Sequence, residues 1–208
     1  MSQVTLKWIT PSAEEIIVNI ARVSNPKNRD NYKTAPQLIK YLIKNKHWSP
    51  FEMANMCVEI TTSRAISAQI IRHRSFSFQE YSQRYAKAEK PGIPKLRRQD
   101  TQNRQSSHDD LTDEIKVKHY TAIDNLFSQT YELYESMLAD GVAKETARAI
   151  LPMCTETTII MNGTIRSWLH YISIRGDVDT QLEHRQIALA AKQIIQEQLP
   201  SIYAAYFV

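Results

Sequence analysis

Glycine is scarce in this 208-residue chain. It occurs four times, at Gly92, Gly141, Gly163 and Gly176, and neither GxGxxG nor GxxxxGKS/T is present. A Rossmann crevice or a P-loop needs glycine so that backbone amides can approach a phosphate. Neither cradle can be built here. Any phosphate this chain holds must be held mainly by side chains.

Arginine is concentrated where such a role would need it. Residues 72–85 carry Arg72, His73, Arg74 and Arg84 with Glu80, three serines and four aromatic rings. Guanidinium forks hold phosphates and carboxylates, and aromatic faces stack on planar rings. Together they suit an anionic ligand with a flat base, a nucleotide or nucleotide cofactor. The net charge of +4 is weaker than a dedicated DNA-binding domain shows and compatible with small anions. Cys57 and Cys154 lie far apart, and the six histidines show neither HxxxH nor HExxH spacing, so neither a disulfide framework nor a metal site is expected. No apolar run is long enough for a membrane span, and the first ten residues lack the pattern of a signal peptide. The expected location is cytoplasmic.

The expected organisation is a single domain over 1–208 with a mobile loop at about 87–107. Val4, Leu6 and Trp8 alternate as a strand. Ser12-x-x-Glu15 reads as a capping box opening a helix with Ile16, Ile17, Ile20 and Val23 inward. A polar loop over 25–33 precedes a helix from about 34 to 46, which the 47–52 segment breaks. Met56, Val58 and Ile60 predict a strand, 63–73 a helix, and 74–85 irregular or extended chain. A long amphipathic helix over 109–140, with Ile123, Leu126, Phe127, Tyr134, Met137 and Leu138 in helical period, stops at Gly141. A short helix over 143–151 ends before Pro152, and 155–161 suggests a strand. Gly163 opens a helix ended by Gly176, and 180–199 is the last long helix. Mainly helical with scattered strands, the chain is α+β.

If 80–84 is extended, Glu80, Ser82 and Arg84 share one face, while Tyr81, Gln83 and Tyr85 take the other. If 63–73 is helical, Gln69 and Arg72 fall at i, i+3, an amide beside a guanidinium. Arg166 and His170 are i, i+4 on the helix after Gly163, and Arg175 at its end suits a cap or a ligand. Arg148 lies in apolar sequence, where a buried guanidinium requires an anionic partner, with Asp or Glu the plain choice. His47 follows an apolar face and reads as a packed, hydrogen-bonded residue. Three readings stay open on these residues: a nucleotide-using enzyme, a nucleic-acid module using 72–85 with the basic 95–104 loop, and a helical assembly protein. Modest charge and Glu80 inside the patch count against the second.

Several segments together resemble the flavin-dependent thymidylate synthases. Arg72-His73-Arg74, seven residues, then Ser82 is similar to that family's RHRx7S motif, completed by Gln83-Arg84-Tyr85. His47-Trp48-Ser49-Pro50-Phe51-Glu52, Glu145-Thr146-Ala147-Arg148-Ala149-Ile150-Leu151-Pro152, Thr164 to Tyr171 with Arg175, and Gln181 with Glu183 resemble further family segments in the same order, over roughly residues 15–190. Position 53 is Met where many members have His, and Thr164 and His170 stand where some have Asn.

The resemblance implies an α+β fold with a small antiparallel sheet flanked by helices, including long amphipathic ones. It implies reductive methylation of dUMP to dTMP, with methylenetetrahydrofolate as carbon donor, FAD as hydride carrier and NADPH as reductant. It implies a homotetramer with interfacial active sites, and no nucleic-acid or membrane partner. Carried onto this chain, Gln69, Arg72, Glu80, Tyr81, Ser82, Gln83, Arg84, Arg148 and Arg175 would hold dUMP. Ser49, Arg72, His73, Arg74, Glu80, Thr164, Arg166 and His170 would hold FAD, with His47 beside the flavin or folate. Arg175 would be catalytic, stabilising negative charge over the uracil N3–O4 region. Neither cysteine lies in a matching segment, and Ser82 has no visible activating base.

Overall fold

The computed structural model describes residues 2–208. Its strands are β1 (Gln3–Ile9), β2 (Asn55–Ser63), β3 (Phe76–Glu80), β4 (Arg98–Gln99), β5 (Ser107–His108) and β6 (Glu156–Thr164). Its helices are α1 (Ala13–Ala21), α2 (Ala35–Lys44), α3 (Arg64–Ile70), α4 (Asp113–Ala139), α5 (Lys144–Ala147), α6 (Ile165–Arg175), α7 (Leu182–Gln198) and α8 (Pro200–Phe207). The α+β expectation holds. An antiparallel four-stranded sheet runs in the order β1-β2-β6-β3, and β4 and β5 form a small separate hairpin.

Alternation explains the sheet. Met56, Val58 and Ile60 of β2 and Ile159 and Met161 of β6 are fully buried and join the main core, with Ile17, Ile39, Trp168, Leu169, Ile187 and Ile195 from the helices. Phe76 of β3 reaches the same core opposite Gly163. A Cβ at Gly163 would lie 2.4 Å from Phe76 Cδ1. This glycine is needed for space and sits inside β6. The helix expected to open there begins after Thr164, whose hydroxyl accepts from the Ser167 amide at 3.2 Å.

Other boundaries moved for local reasons. Ser12 takes a left-handed backbone and makes no side-chain cap, so the capping box does not form. Helix α1 turns Ala13, Ile17 and Val18 inward and leaves Val23 65% exposed. The 25–33 loop contains a 3-10 turn at Pro26–Asn28, and another follows at Tyr32–Thr34. Helix α4 starts behind a Thr112 cap. It ends with Gly141 at φ 85, where Gly141 N–H donates to the Leu138 carbonyl and Val142 N–H to that of Met137. That is a Schellman ending, for which glycine has the least steric cost. Only Phe127 and Tyr134 of α4 are buried, and Leu126, expected on its inner face, is exposed. Helix α8 was not anticipated. No helix among the described residues is long and apolar enough to cross a membrane.

Candidate active site

The C-terminal end of α6 gathers the densest chemistry. Arg175 donates from Nε to Nε2 of His73 at 2.9 Å. His73 packs edge-on against Tyr171, with ring centroids 5.0 Å apart. Burial first, then Arg175 and His170, push its pKa down to about 4. A neutral His73 accepting at Nε2 carries its hydrogen on Nδ1. Beneath it, Tyr171 and the fully buried His184 are joined at 3.1 Å, and burial pushes the Tyr171 phenol up. Arg175 and Gln69 line a cavity of about 500 Å³ with Gln105, Asp177, Asp179 and Gln181.

Glu80 closes the inward face of β3. Its Oε1 accepts from Ser67 at 2.7 Å and Thr157 at 3.1 Å, and pairs with Arg64 NH1 at 3.1 Å. The strand ends there. Residues 82–86 form a turn closed by the Tyr85 and Ala86 amides on the Ser82 carbonyl. The shared face expected for Glu80, Ser82 and Arg84 is therefore not built. Among the described residues Ser82 Oγ accepts only from the Arg84 amide, at 3.4 Å. Tyr81 donates to the Lys87 carbonyl. Gln83 is buried, and its Nε2 has no partner among the described residues.

Arg84 pairs with Glu145 of α5, both more than half exposed. Arg148, half-buried, has no acidic partner among the described residues, against the expectation of a buried pair. Arg72 lies beyond α3, which stops at Ile70, so it does not share a helix face with Gln69. Arg72 and Arg74 are exposed.

A groove of about 440 Å³ lies toward the N-terminal half of α6, lined by Trp48, Glu52, Ser75, Arg166, His170 and Tyr206. Arg166 and His170 share an exposed face, and Arg166 pairs with Glu52. Thr164 caps the helix. Ser49 opens the 3-10 turn Ser49–Glu52. His47 is exposed, its ring edge on Tyr41, and not the packed residue its sequence setting suggests. Guanidinium, imidazole and aromatic rings around an open groove fit an anionic ligand with a planar ring system, as a dinucleotide is. Trp48, Glu52 and Tyr206 were not read as site residues. Glu52 lay in a matching segment, whereas Tyr206 comes from the unanticipated α8.

Two more residues join the Arg175 cluster without having been anticipated, Tyr171 and His184, and Arg97 lies behind it, on Glu183. Arg97 falls in the segment read as a mobile loop, yet it forms a two-pronged pair with Glu183. Burial pushes both cysteine thiols up, away from the thiolate a nucleophile needs.

A family model described as "Thymidylate synthase complementing protein", Thy1, matches residues 5–201. A protein of Paramecium bursaria Chlorella virus 1 named "Probable flavin-dependent thymidylate synthase" is 51% identical over 195 residues, 93% of this chain and 90% of its own length. The "Flavin-dependent thymidylate synthase" of Synechocystis is 48% identical over 194 residues, 93% of this chain and 89% of its own. Among solved structures, a UMP/dUMP methylase of Streptomyces cacaoi bound with 5-Br dUMP superposes with a TM-score of 0.88 at 23% identity, covering 100% of this chain and 95% of that one. That last likeness is one of fold.

Proposed function

This chain belongs to the Thy1 family of thymidylate synthase complementing proteins, and we propose that it converts dUMP to dTMP by reductive methylation. Methylenetetrahydrofolate gives the carbon unit, and NADPH is the reductant. FAD, when bound, supplies the hydride chemistry. The observation that carries this reading is Arg175, held by a neutral His73 at the mouth of a polar cavity that Gln69 also lines.

Methylation at C5 of uracil needs electron density there. Arg175 supplies it by stabilising negative charge over the N3–O4 edge. No thiolate is called on, consistent with the raised cysteine pKa values. Gln69, Arg72, Glu80, the 81–84 turn, Arg148 and Arg175 hold dUMP. Arg84 and Arg148 take its phosphate. Ser49, Arg72, His73, Arg74, Glu80, Thr164, Arg166 and His170 hold FAD, with His47 close by.

The enzyme works as a cytoplasmic homotetramer with active sites between subunits. Support comes from how one chain scatters these residues. Arg84 and Arg148 sit by α5 and the Arg175 cluster at the end of α6, and no side-chain bond among the described residues links them. The exposed Ile115, Leu126 and Leu133, on one side of α4, offer a surface for a second copy.

Tritium release from 5-tritiated dUMP, with methylenetetrahydrofolate, FAD and NADPH, tests the reaction. Activity is expected, together with a yellow protein absorbing near about 450 nm. A colourless protein that FAD titration leaves unchanged overturns the reading.

A further inference from the structure

Glu183 begins a hydrogen-bond chain in which each link fixes the sense of the next. Arg97 clamps its carboxylate, NH1 at 2.5 Å and NH2 at 2.9 Å. Burial, the largest single influence, raises the Glu183 pKa, but the hydrogen bonds from Arg97, the Glu183 amide and Gln181, together with the Arg97 charge, leave it below the usual carboxylate value. An ionised carboxylate only accepts. The Gln181 atom facing Glu183 Oε2 at 3.0 Å is therefore the amide nitrogen. That turns Gln181 Oε1 toward Gln69, whose own nitrogen must face it, at 2.7 Å. Gln69 Oε1 then faces His184 Nδ1 at 3.3 Å, so that ring nitrogen donates. His184 is fully buried, and burial first, then Arg175 and His73, lower its pKa to about 4. Being neutral, it accepts at Nε2 from the Tyr171 hydroxyl.

We infer that Glu183 is a positioning residue that, through Gln181, locks the Gln69 amide with its carbonyl turned to His184 and one amide hydrogen left for the O4 carbonyl of a uracil ring. Gln69 lines the cavity beside Arg175. An amide free to flip would offer its own carbonyl and accept the amino group of cytosine. The locked amide selects uracil nucleotides over cytosine nucleotides. This rests on the reading of the cavity as the dUMP site.

Isothermal titration of dUMP and dCMP into the FAD-loaded enzyme tests the lock. Wild type is expected to prefer dUMP. Glu183→Gln keeps the shape but can donate as well as accept, and should narrow that preference about ten-fold or more. Gln181→Leu cuts the chain while keeping the Arg97–Glu183 pair, should narrow it equally, and carries the test if thermal melting shows that Glu183→Gln does not fold. Arg97→Lys keeps a cation on the Glu183 carboxylate and should keep the preference. The inference is overturned if folded Glu183→Gln or Gln181→Leu retains the full preference. It is also overturned if Arg97→Lys narrows the preference as much as Glu183→Gln, because the two-pronged anchor, and not the acceptor-only carboxylate, would then set it. A wild type that binds dUMP while a variant gives either result sinks this inference alone. A wild type that binds neither nucleotide sinks the dUMP reading with it.

Discussion

Arg175 and His73 stand 102 residues apart in sequence and 2.9 Å apart in space, joined by an Nε–H···Nε2 bond. The bond spends one guanidinium donor on orientation and leaves the two terminal nitrogens for a ligand. Arg175→Ala should lower kcat by about 10²–10³-fold, the usual effect of losing one electrostatic stabiliser of a developing anion. Arg175→Lys keeps the charge but not the Nε fork and should recover only part of the rate. Tritium release at saturating dUMP measures both. A wild-type kcat in Arg175→Ala would remove the residue from the mechanism.

The same cluster sets an acid limit on stability. His73 and His184 titrate near 4 in the folded chain, below the ordinary 6.5. Between those values the unfolded chain binds more protons, so stability falls as pH drops from about 6.5 toward about 4. For the fully buried His184 the loss approaches about 3 kcal/mol, since a ten-fold change in proton affinity is about 1.4 kcal/mol. Thermal melts from pH 7.5 to 4.5 should show Tm falling with acidity. His184→Asn should flatten the slope, even if it lowers Tm at pH 7.5.

The alternation of β2 was legible because Met56, Val58 and Ile60 all face the core, whereas β6 showed as the β-branched, apolar run over 155–161. Strand β3 lies in the 74–85 stretch expected to be irregular or extended, and its Phe76-Ser77-Phe78-Gln79-Glu80 alternation favours the extended form it takes. Gly163 was misread because its role is set by Phe76, a ring 87 positions away that no local pattern announces. Helix α8 had a usable signal, Pro200 at a first helical turn, where its missing amide hydrogen costs nothing. The site was legible as residue types, not as partners. Arg97 meets Glu183 across 86 residues, and no spacing within a segment reports such a pair.

Ser82 makes no bond to a histidine or a carboxylate among the described residues. An unaided serine hydroxyl is a weak nucleophile. Ser82→Ala should raise the Kd for dUMP by several-fold, roughly one neutral hydrogen bond, and leave single-turnover methylation at saturating dUMP intact. Loss of that single turnover, with folding and flavin retained, would restore serine as the nucleophile.

Arg84 and Arg148 differ in what a phosphate must displace. Arg84 is engaged with Glu145 in an exposed pair of little net worth, whereas Arg148 is uncommitted among the described residues. Each should contribute about 1.5–3 kcal/mol to phosphate binding as a charge-assisted bond. Arg84→Ala and Arg148→Ala should therefore each raise the dUMP Kd about ten-fold or more. Glu145→Ala should leave dUMP affinity unchanged or tighten it, by freeing Arg84. Equilibrium titration decides, and an unchanged Kd in both arginine variants removes the phosphate assignment.

Gly163→Ala places a methyl group where Phe76 already sits, 2.4 Å from Cδ1 and 2.6 Å from Cε1. The ring cannot retreat freely, because it packs on Trp168 at 4.9 Å and Tyr171 at 5.8 Å. Overpacking of this kind costs roughly 1–3 kcal/mol. The strain also falls on β3, three residues beyond His73, so dUMP turnover should drop together with stability. Adding Phe76→Leu removes ring atoms from the clash and should recover part of the loss, giving a non-additive pair in urea unfolding. If the two changes simply add, Gly163 is tolerating the methyl group elsewhere, and the steric account of its place in β6 fails.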